Sequence, residues 1–598
     1  MCGIAGLHFK KEVNPVVLEK FRNLVNTNQY KRGPDEFNMY EVEPNLFFFH
    51  NMLSIIDLGN AKQPMHDDNG AITYNGEIYN YKDLKYSDEV YNLHSDTEVL
   101  LKGLHRDYLG FLPRTNSMFG FGYYSKGKQL LTLCRDRIGI KPVYYIDNDE
   151  VFAFASTLTP LVIFSQKRLN HDKLWQYYLN RAFKAPYTIF EDIFEIPPAS
   201  YLEFDMRGSH IIKTGQWWER KPVEDIYKDE NEVIDSIEQL LIDSIKNRLV
   251  ADVPVGLFLS GGVDSSLIAA LTSRQKSDLN AFTVAFHDKQ FDESGYARRV
   301  CERYGIQYNE IRVDANDFLY SIEDWIKIQD DIVADPSALL LYKISDYASS
   351  LNYRALLAGE GSDELFGGYN AYKYFNWSKR IYNSGGKYLP FADTFIKAFK
   401  NNSKTQNFVT NSLKSPYFYG TATIFEPHLL SQLLPGCDGY DSLKVTDVKQ
   451  AMDLDIKDRL PNDLLTRSDR STMGTSVELR VPFLAHQLVD YSAGIPAKLL
   501  MKNGVPKYLM KKLASKYLDQ DQIYRRKVGF DLPIHKWISN EMRDLVSESI
   551  QNSVQKEYID ISVIEKCFDL HVNQNVNYST KIWAFLCLEL SYRYLSKI

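Results

Sequence analysis

The stretch MCGIAGLHFK places a cysteine at the second position, beside small residues. Removal of Met1 would leave Cys2 carrying both a thiol and the chain-terminal amine. Such an amine titrates near pH ~8, and a thiol beside its own base is an activated nucleophile. A second stretch, GLFLSGGVDSSLIAAL, combines groups that hold phosphate. Gly256 to Leu259 reads as a short apolar strand, Ser260, Gly261 and Gly262 as a tight loop, and a helix begins near Asp264. Glycines let backbone N–H groups approach an anion, and a helix start adds unpaired N–H groups with a partial positive charge. Ser265 and Ser266 supply hydroxyl donors, while the Asp264 carboxylate suits magnesium. The lysine of a Walker-type loop is absent.

A third stretch, LLAGEGSDELFGGY, sets Glu360, Asp363 and Glu364 between glycines after the strand-like YRALLAG. In open parallel sheets ligands collect at the carboxyl ends of strands, so both loops face one crevice. Asp363 then joins Asp264 on magnesium, and Glu360 orients or deprotonates an acceptor. A solvated surface turn would hold the same residue types. Downstream, IYRRKVGF offers Arg525, Arg526 and Lys527. A lysine there could stabilise charge on phosphorus and on departing pyrophosphate, although by composition alone such a run reads as a solvated face.

The elements that position these groups fall into two regions. Up to about residue 205 short β-prone runs alternate with turn residues (NLFFFHNMLSIIDL, AITYNGEIYNY, LLTLCRDRIGIKPVYYID, VFAFAS), which predicts stacked sheets. A polar passage follows, then an amphipathic helix in VIDSIEQLLIDSIKNRLV and helices alternating with the buried-looking strands PVGLFLS, LNAFTVAF and YRALLAG. That alternation predicts a doubly wound parallel sheet. The expected division is 1–205 and 206–598. The last helix, TKIWAFLCLELSYRYLSKI, is expected to bury Trp583, Leu586 and Leu590.

With 598 residues, 44% of them hydrophobic and 25% charged, the chain is an ordinary globular protein too long for one core. A net charge of -7 leaves no basic excess for nucleic acid. Cys2, Cys134, Cys301, Cys437, Cys567 and Cys587 form no CxxC pair, which predicts reduced thiols and neither a disulfide framework nor a zinc site. No signal peptide and no apolar run approaching ~18 residues is present, so a cytoplasmic protein without a membrane partner is expected.

SGGVDSS resembles the pyrophosphate loop of ATP pyrophosphatases. Together with MCGIAG, RGPD (Arg32 to Asp35), LSIIDL, YNGEIYNY, SDTE (Ser95 to Glu98), RDRIGIKPVYY, FDES, GEGSDELFGGY, DRSTMGTSVELRVPFL and RRKVGF, it makes nearly the whole chain resemble the glutamine-hydrolysing asparagine synthetases. The resemblance implies an N-terminal-nucleophile αββα sandwich acting as a class II glutaminase, followed by an adenine nucleotide α-hydrolase-like synthetase domain. It implies that Cys2 attacks the glutamine amide, that Asn75 and Gly76 form the oxyanion hole, and that Glu77 and Asp96 bind the glutamine amino group. It places Phe258, Val284, Ala358 and Gly359 around adenine, and the segment Ser260, Gly261, Gly262, Asp264, Ser265 and Ser266 on pyrophosphate. Lys527 would serve adenylation and Glu360 would act as base towards ammonia. ATP, Mg2+, glutamine and a carboxylate acceptor are the implied ligands, with a homodimer as an assembly that relatives often form.

Three positions depart from the family pattern. Met52 stands in HNMLSI where an arginine ordinarily pairs with the glutamine α-carboxylate, which would weaken glutamine binding unless Asn51, Arg32 or another donor replaces it. Ala485 replaces an aspartate after PFL, and Thr157 replaces a glutamate in FASTLTPL; both bear on packing. The expected reaction is amidation of aspartate. The alternatives are a uronic acid of a surface polysaccharide as acceptor, an ammonia-dependent synthetase with an impaired glutaminase, and a non-catalytic binding protein on the same frame.

Overall fold

The structure, a computed structural model, describes residues 2–221, 229–288, 290–385, 403–413, 418–437, 445, 447–525, 532–574 and 576–598. In chain order the strands of the first region are β1 (Cys2–Phe9), β2 (Glu36–Glu43), β3 (Leu46–Met52), β4 (Met65–Asp67), β5 (Gly70–Ile78), β6 (Ser117–Ser125), β7 (Leu130–Arg135), β8 (Tyr144–Asp147), β9 (Val151–Ala155), β10 (Ile193–Glu195), β11 (Ser200–Asp205) and β12 (His210–Gln216). They form two six-stranded antiparallel sheets, ordered β10-β8-β9-β1-β3-β2 and β12-β11-β7-β6-β5-β4.

The two sheets face each other through β1 and β3 on one side and β5 and β6 on the other. Helix α1 (Pro15–Gln29) covers the first sheet and α2 (Asp96–Asp107) the second. The layers are therefore α, β, β, α, as expected. Local signals start both helices: the Asn14 side chain accepts from the Val16 and Val17 N–H groups, and Ser95 accepts from Thr97 with Asp96 and Glu98 in the first turn. Strand β1, CGIAGLHF, is buried along its whole length. Cys2 thus begins an inner strand of the first sheet, packed between the second sheet and α1.

The second region holds a parallel sheet of β13 (Val255–Phe258), β14 (Asn280–Phe286), β15 (Gln307–Val313), β16 (Ala355–Leu357) and β17 (Glu478–Arg480), ordered β15-β14-β13-β16-β17. The chain adds strands to one side of β13, then crosses back to its other side. Right-handed crossovers in opposite directions put helices on opposite faces, which is the doubly wound arrangement, and leave a crevice where β13 and β16 diverge. The loop after β13 leads into α3 (Val263–Ser273), and the loop after β16 carries Glu360 and leads into the short helix Ser362–Phe366 that carries Asp363.

Several details differ from the sequence reading. The second sheet continues past residue 205, because β12 pairs along β11 and Trp217 Nε1 donates to the Arg135 carbonyl at 2.9 Å. Most of β12 is exposed, as edge strands allow, and its His210, Lys213, Thr214 and Gln216 hide it in a polar passage. In the last helix, Ser579–Leu595, Trp583 and Leu586 are fully buried but Leu590 is only half-buried. Thr157 bonds both ways into α1, donating to Asn28 and accepting from Gln29. Ala485 occupies the N-cap position of the helix His486–Gly494 and offers no side-chain acceptor. None of the six cysteines forms a disulfide. Among the described residues no helix is long and apolar enough to cross a membrane.

Candidate active sites

Cys2 is 5% exposed, and its backbone N–H donates to Asn75 Oδ1 across the sandwich at 3.0 Å. That contact commits the oxygen of the Asn75 amide and leaves Nδ2 buried without an acceptor among the described residues. A buried amide donor without a partner costs about 1–3 kcal/mol, so Nδ2 is poised for an incoming oxygen. Gly76 follows on β5, opposite Phe119. Burial pushes the Cys2 thiol above the usual thiol range. The resting thiol is therefore protonated at neutral pH and needs a base to attack.

Beside it the structure gathers two buried carboxylates. Asp96, in the first turn of α2, accepts from Tyr74 Oη at 3.1 Å and from the Ile78 N–H at 2.9 Å. Glu77 has Oε2 buried without a partner, and its Oε1 lies 3.6 Å from Arg480 Nη2. Burial raises both carboxyls; Glu478 and Asp96 push Glu77 further, against the pull of Arg480. A pocket with this surplus of negative charge suits an ammonium group.

The register settles which neighbours can replace the absent arginine. Met52, on β3, lies directly opposite Cys2 on β1, on the same face. Asn51 pairs with Gly3, so its side chain points to the other face, where it donates to the Asn26 carbonyl in α1. Asn51 is excluded as the substitute by the pleat. Arg32 stands closer: Nε donates to the Cys2 carbonyl at 3.4 Å, Nη1 pairs with Asp469 at 2.8 Å, and Nη2 is buried without a partner among the described residues.

In the second region the phosphate loop is held from behind. Gly261 has φ +73° and a Cβ there would meet the Ala297 N at 2.9 Å, so only glycine fits. Its carbonyl accepts from Gln522 Nε2 at 3.1 Å and Arg525 Nη2 at 3.2 Å. Gln522 also donates to Ser266 Oγ at 2.9 Å, and Ser266 is fully buried. Ser266 therefore ties the loop to Gln522 from behind, with its own hydroxyl proton still available to an acceptor. Ser260 Oγ and Ser265 Oγ lie 3.0 Å apart at the loop's open side. Phe258, Val284 and Ala358 are buried near the ends of the adjacent strands β13, β14 and β16.

The second loop closes on the first because Gly359 has no side chain; a Cβ would lie 3.1 Å from Asp264 Cβ. Asp264 Oδ1 accepts from Ser362 Oγ at 2.9 Å. Asp264 Oδ2 and Asp363 Oδ1 converge on one cation, Lys507 Nζ, at 2.6 and 2.7 Å. Two carboxylates meeting at one positive centre fit magnesium that takes its remaining oxygens from a nucleotide; among the described residues no cluster of three or more ligating side chains offers a closed cage. Lys527 and Arg526 lie outside the described residues.

Glu360 receives Arg467 Nη2 at 3.4 Å. Arg467 also pairs with Asp335 at 2.8 Å, as Arg181 does at 3.1 Å. Burial alone would raise Asp335, but the two guanidinium groups outweigh it and hold it well below the carboxylate range. Neither Arg467 nor Lys507 stood among the expected site residues.

The seam between the regions was also missed. Asp469 accepts from Arg32 and from Lys141 at 3.0 Å. Arg480, fully buried, reaches Glu77 with its side chain while its carbonyl accepts the Ala358 N–H at 2.9 Å. One residue therefore touches both sites. The available signal was the run of charges within DRSTMGTSVELRVPFL, whose apolar neighbours mark it as buried.

Comparison with known proteins follows the same division. Residues 1–218 match the family model described as a glutamine amidotransferase domain, and residues 236–593 match that described as asparagine synthase. Glutamine-hydrolyzing asparagine synthetase 1 of Bacillus subtilis (strain 168) is 32% identical over 612 residues, covering 98% of this chain and 95% of that protein. A putative glutamine-hydrolyzing asparagine synthetase of Mycobacterium bovis is 28% identical, over 94% of this chain and 91% of that protein. Asparagine synthetase 3 of the same Bacillus strain is also 28% identical, over 90% and 88%.

Proposed function

The chain belongs to the asparagine synthase family, as a glutamine-hydrolysing ligase with an amidotransferase domain, and from that premise we propose that it converts aspartate to asparagine. The amidotransferase unit is taken to end after β12, beyond the expected residue 205, and the synthetase unit to follow. In the first unit Cys2 Sγ attacks the side-chain carbonyl carbon of glutamine, with the freed Cys2 amine as base. The oxyanion forms against Asn75 Nδ2 and the Gly76 N–H. The C–N bond breaks as the amine returns its proton, ammonia leaves, and water hydrolyses the thioester to glutamate. Glu77 and Asp96 hold the substrate ammonium, and Arg32 Nη2 takes the carboxylate in place of the missing arginine.

In the second unit a carboxylate oxygen of the acceptor attacks the α-phosphorus of ATP and pyrophosphate departs. Ser260, Gly261, Gly262 and Ser265 line the pyrophosphate, and Phe258, Val284, Ala358 and Gly359 the adenine. Asp264 and Asp363 would hold Mg2+, which would neutralise phosphate charge when bound. Lys527 is assigned to the charge developing on phosphorus. Ammonia then attacks the acyl carbon, AMP leaves, and Glu360 takes the proton. Arg467, 3.4 Å from Glu360, is placed to meet a carboxylate of an amino-acid acceptor.

The observation that carries the glutaminase half is the Asn75 amide, whose oxygen holds Cys2 and whose nitrogen is left to receive an oxyanion. The test is pyrophosphate release with ATP, magnesium and either glutamine or ammonium, across aspartate and several uronic acids. Release on aspartate with asparagine formed supports the assignment. An inert aspartate and a responsive sugar acid would overturn the acceptor, and activity with ammonium alone would overturn the glutaminase.

A further inference from the structure

The Asp264–Lys507–Asp363 bridge has a consequence for how metal enters. Lys507 is 5% exposed, and its ammonium contacts one oxygen of each carboxylate that the proposed function gives to magnesium. The lysine is held there deliberately. It caps the helix Tyr508–Ala514 in a left-handed conformation (φ 58°, ψ 36°), which costs a non-glycine residue. Its N–H donates at 3.1 Å to the carbonyl of Gly367, the residue that ends the helix Ser362–Phe366 carrying Asp363. Lys511, one turn further along, lies in the same field: burial lowers it, and Lys507 lowers it again. Asp264 and Asp363 act on Lys511 in the opposite sense and raise it.

We propose that Lys507 is a built-in stand-in for the divalent cation: it occupies the meeting point of Asp264 and Asp363 without nucleotide, excludes free metal, and moves onto the triphosphate when metal and nucleotide arrive together. The inference rests on the metal assignment above. Like charges would repel Lys507 from a bound divalent ion, while the phosphate oxygens offer the displaced ammonium new acceptors. No bond is made or broken; one cation is exchanged for another. Metal loading becomes conditional on nucleotide, so the enzyme does not hold a metal ion that lacks its substrate.

The experiment follows Mn2+ by electron paramagnetic resonance and by its effect on melting temperature, which rises for any ligand that binds the folded state. Wild-type protein should bind Mn2+ only with a non-hydrolysable ATP analogue present. Lys507→Gln should bind Mn2+ alone, at least about tenfold more tightly than wild type, with a melting temperature that rises with Mn2+. Lys507→Arg, which keeps the charge, should exclude free Mn2+ as wild type does. Tight Mn2+ binding by nucleotide-free wild type would overturn the proposal whether or not Lys507→Gln folds, and so would an unchanged affinity in that variant. If Asp264→Asn leaves Mn2+ binding with the analogue untouched, the metal assignment itself is wrong, a separate failure.

Discussion

The thiol pocket and the nucleotide crevice meet the same problem, buried polar groups, in opposite ways. Around Cys2, Asn75 Nδ2, Glu77 Oε2 and Arg32 Nη2 are buried and unpaired among the described residues. In the crevice the groups satisfy one another: Lys507 bridges Asp264 and Asp363, Ser362 bonds Asp264, and Ser260 meets Ser265. The first pocket stores the cost of unpaired groups, which on the proposed function substrate would recover. The second must break its own contacts to admit ligand. Rigid strands carry the first, since Asn75 and Glu77 sit within β5; loops and helix ends carry the second. A preformed strand pocket suits a small substrate of fixed shape, and an exchangeable one suits a charged nucleotide with its ion.

The largest expected effect separates the two regions outright. Cys2→Ala should lower glutamine-dependent synthesis by about a thousandfold or more while leaving ammonium-dependent synthesis intact, because only the first pocket loses its nucleophile. Retained glutamine use in steady-state assays would remove Cys2 from its role. Asp264→Asn should cut both nitrogen routes by about a hundredfold. Normal pyrophosphate release by that variant would mean the crevice does not depend on its bridged carboxylates.

A smaller effect measures how complete the first pocket is. Met52→Arg introduces a guanidinium on β3, directly opposite Cys2 on β1. If Arg32 Nη2 only partly makes up for the missing arginine, a second charge-assisted contact should lower the glutamine KM about tenfold. An unchanged or raised KM would show that Arg32 already completes the site, or that Glu77 captures the new arginine.

The contrast also explains what could be read from sequence. Cys2, the phosphate loop and the loop around Glu360 are local arrangements of residue types, and the structure puts the two loops at the expected strand ends. Strands β13, β14 and β16 were legible because each is a short apolar run bounded by polar or glycine residues. Lys507 was not: 243 residues separate it from Asp264, and a lysine before a helix looks like any surface lysine. Strand β17 has three residues, two of them charged, so no alternation betrays it. The Gln522 contact behind Ser266 was equally hidden, because only the fold brings the two together. Contacts made by chain crossing leave no periodic trace.

The mildest prediction tests whether the thiol pocket truly stores unfavourable energy. The Glu77 carboxyl is raised above its ordinary value of 4.5, chiefly by burial and then by Glu478 and Asp96. A raised folded-state value means that the ionised form opposes folding. The penalty is absent at low pH, where the group is protonated folded and unfolded alike. It grows as pH climbs past 4.5 and is complete above the raised value. Glu77→Gln should therefore melt higher than wild type at pH 8, by about 1–2 kcal/mol of stability, and match it at pH 4. Arg480 keeps Glu478 as a partner in the variant, so no buried cation is stranded. The same substitution should weaken glutamine binding, since a neutral amide no longer attracts the substrate ammonium. A variant less stable than wild type at pH 8 would mean that Arg480 and Glu77 stabilise the seam between the regions. The pocket would then resemble the crevice, paired with itself until a ligand intervenes.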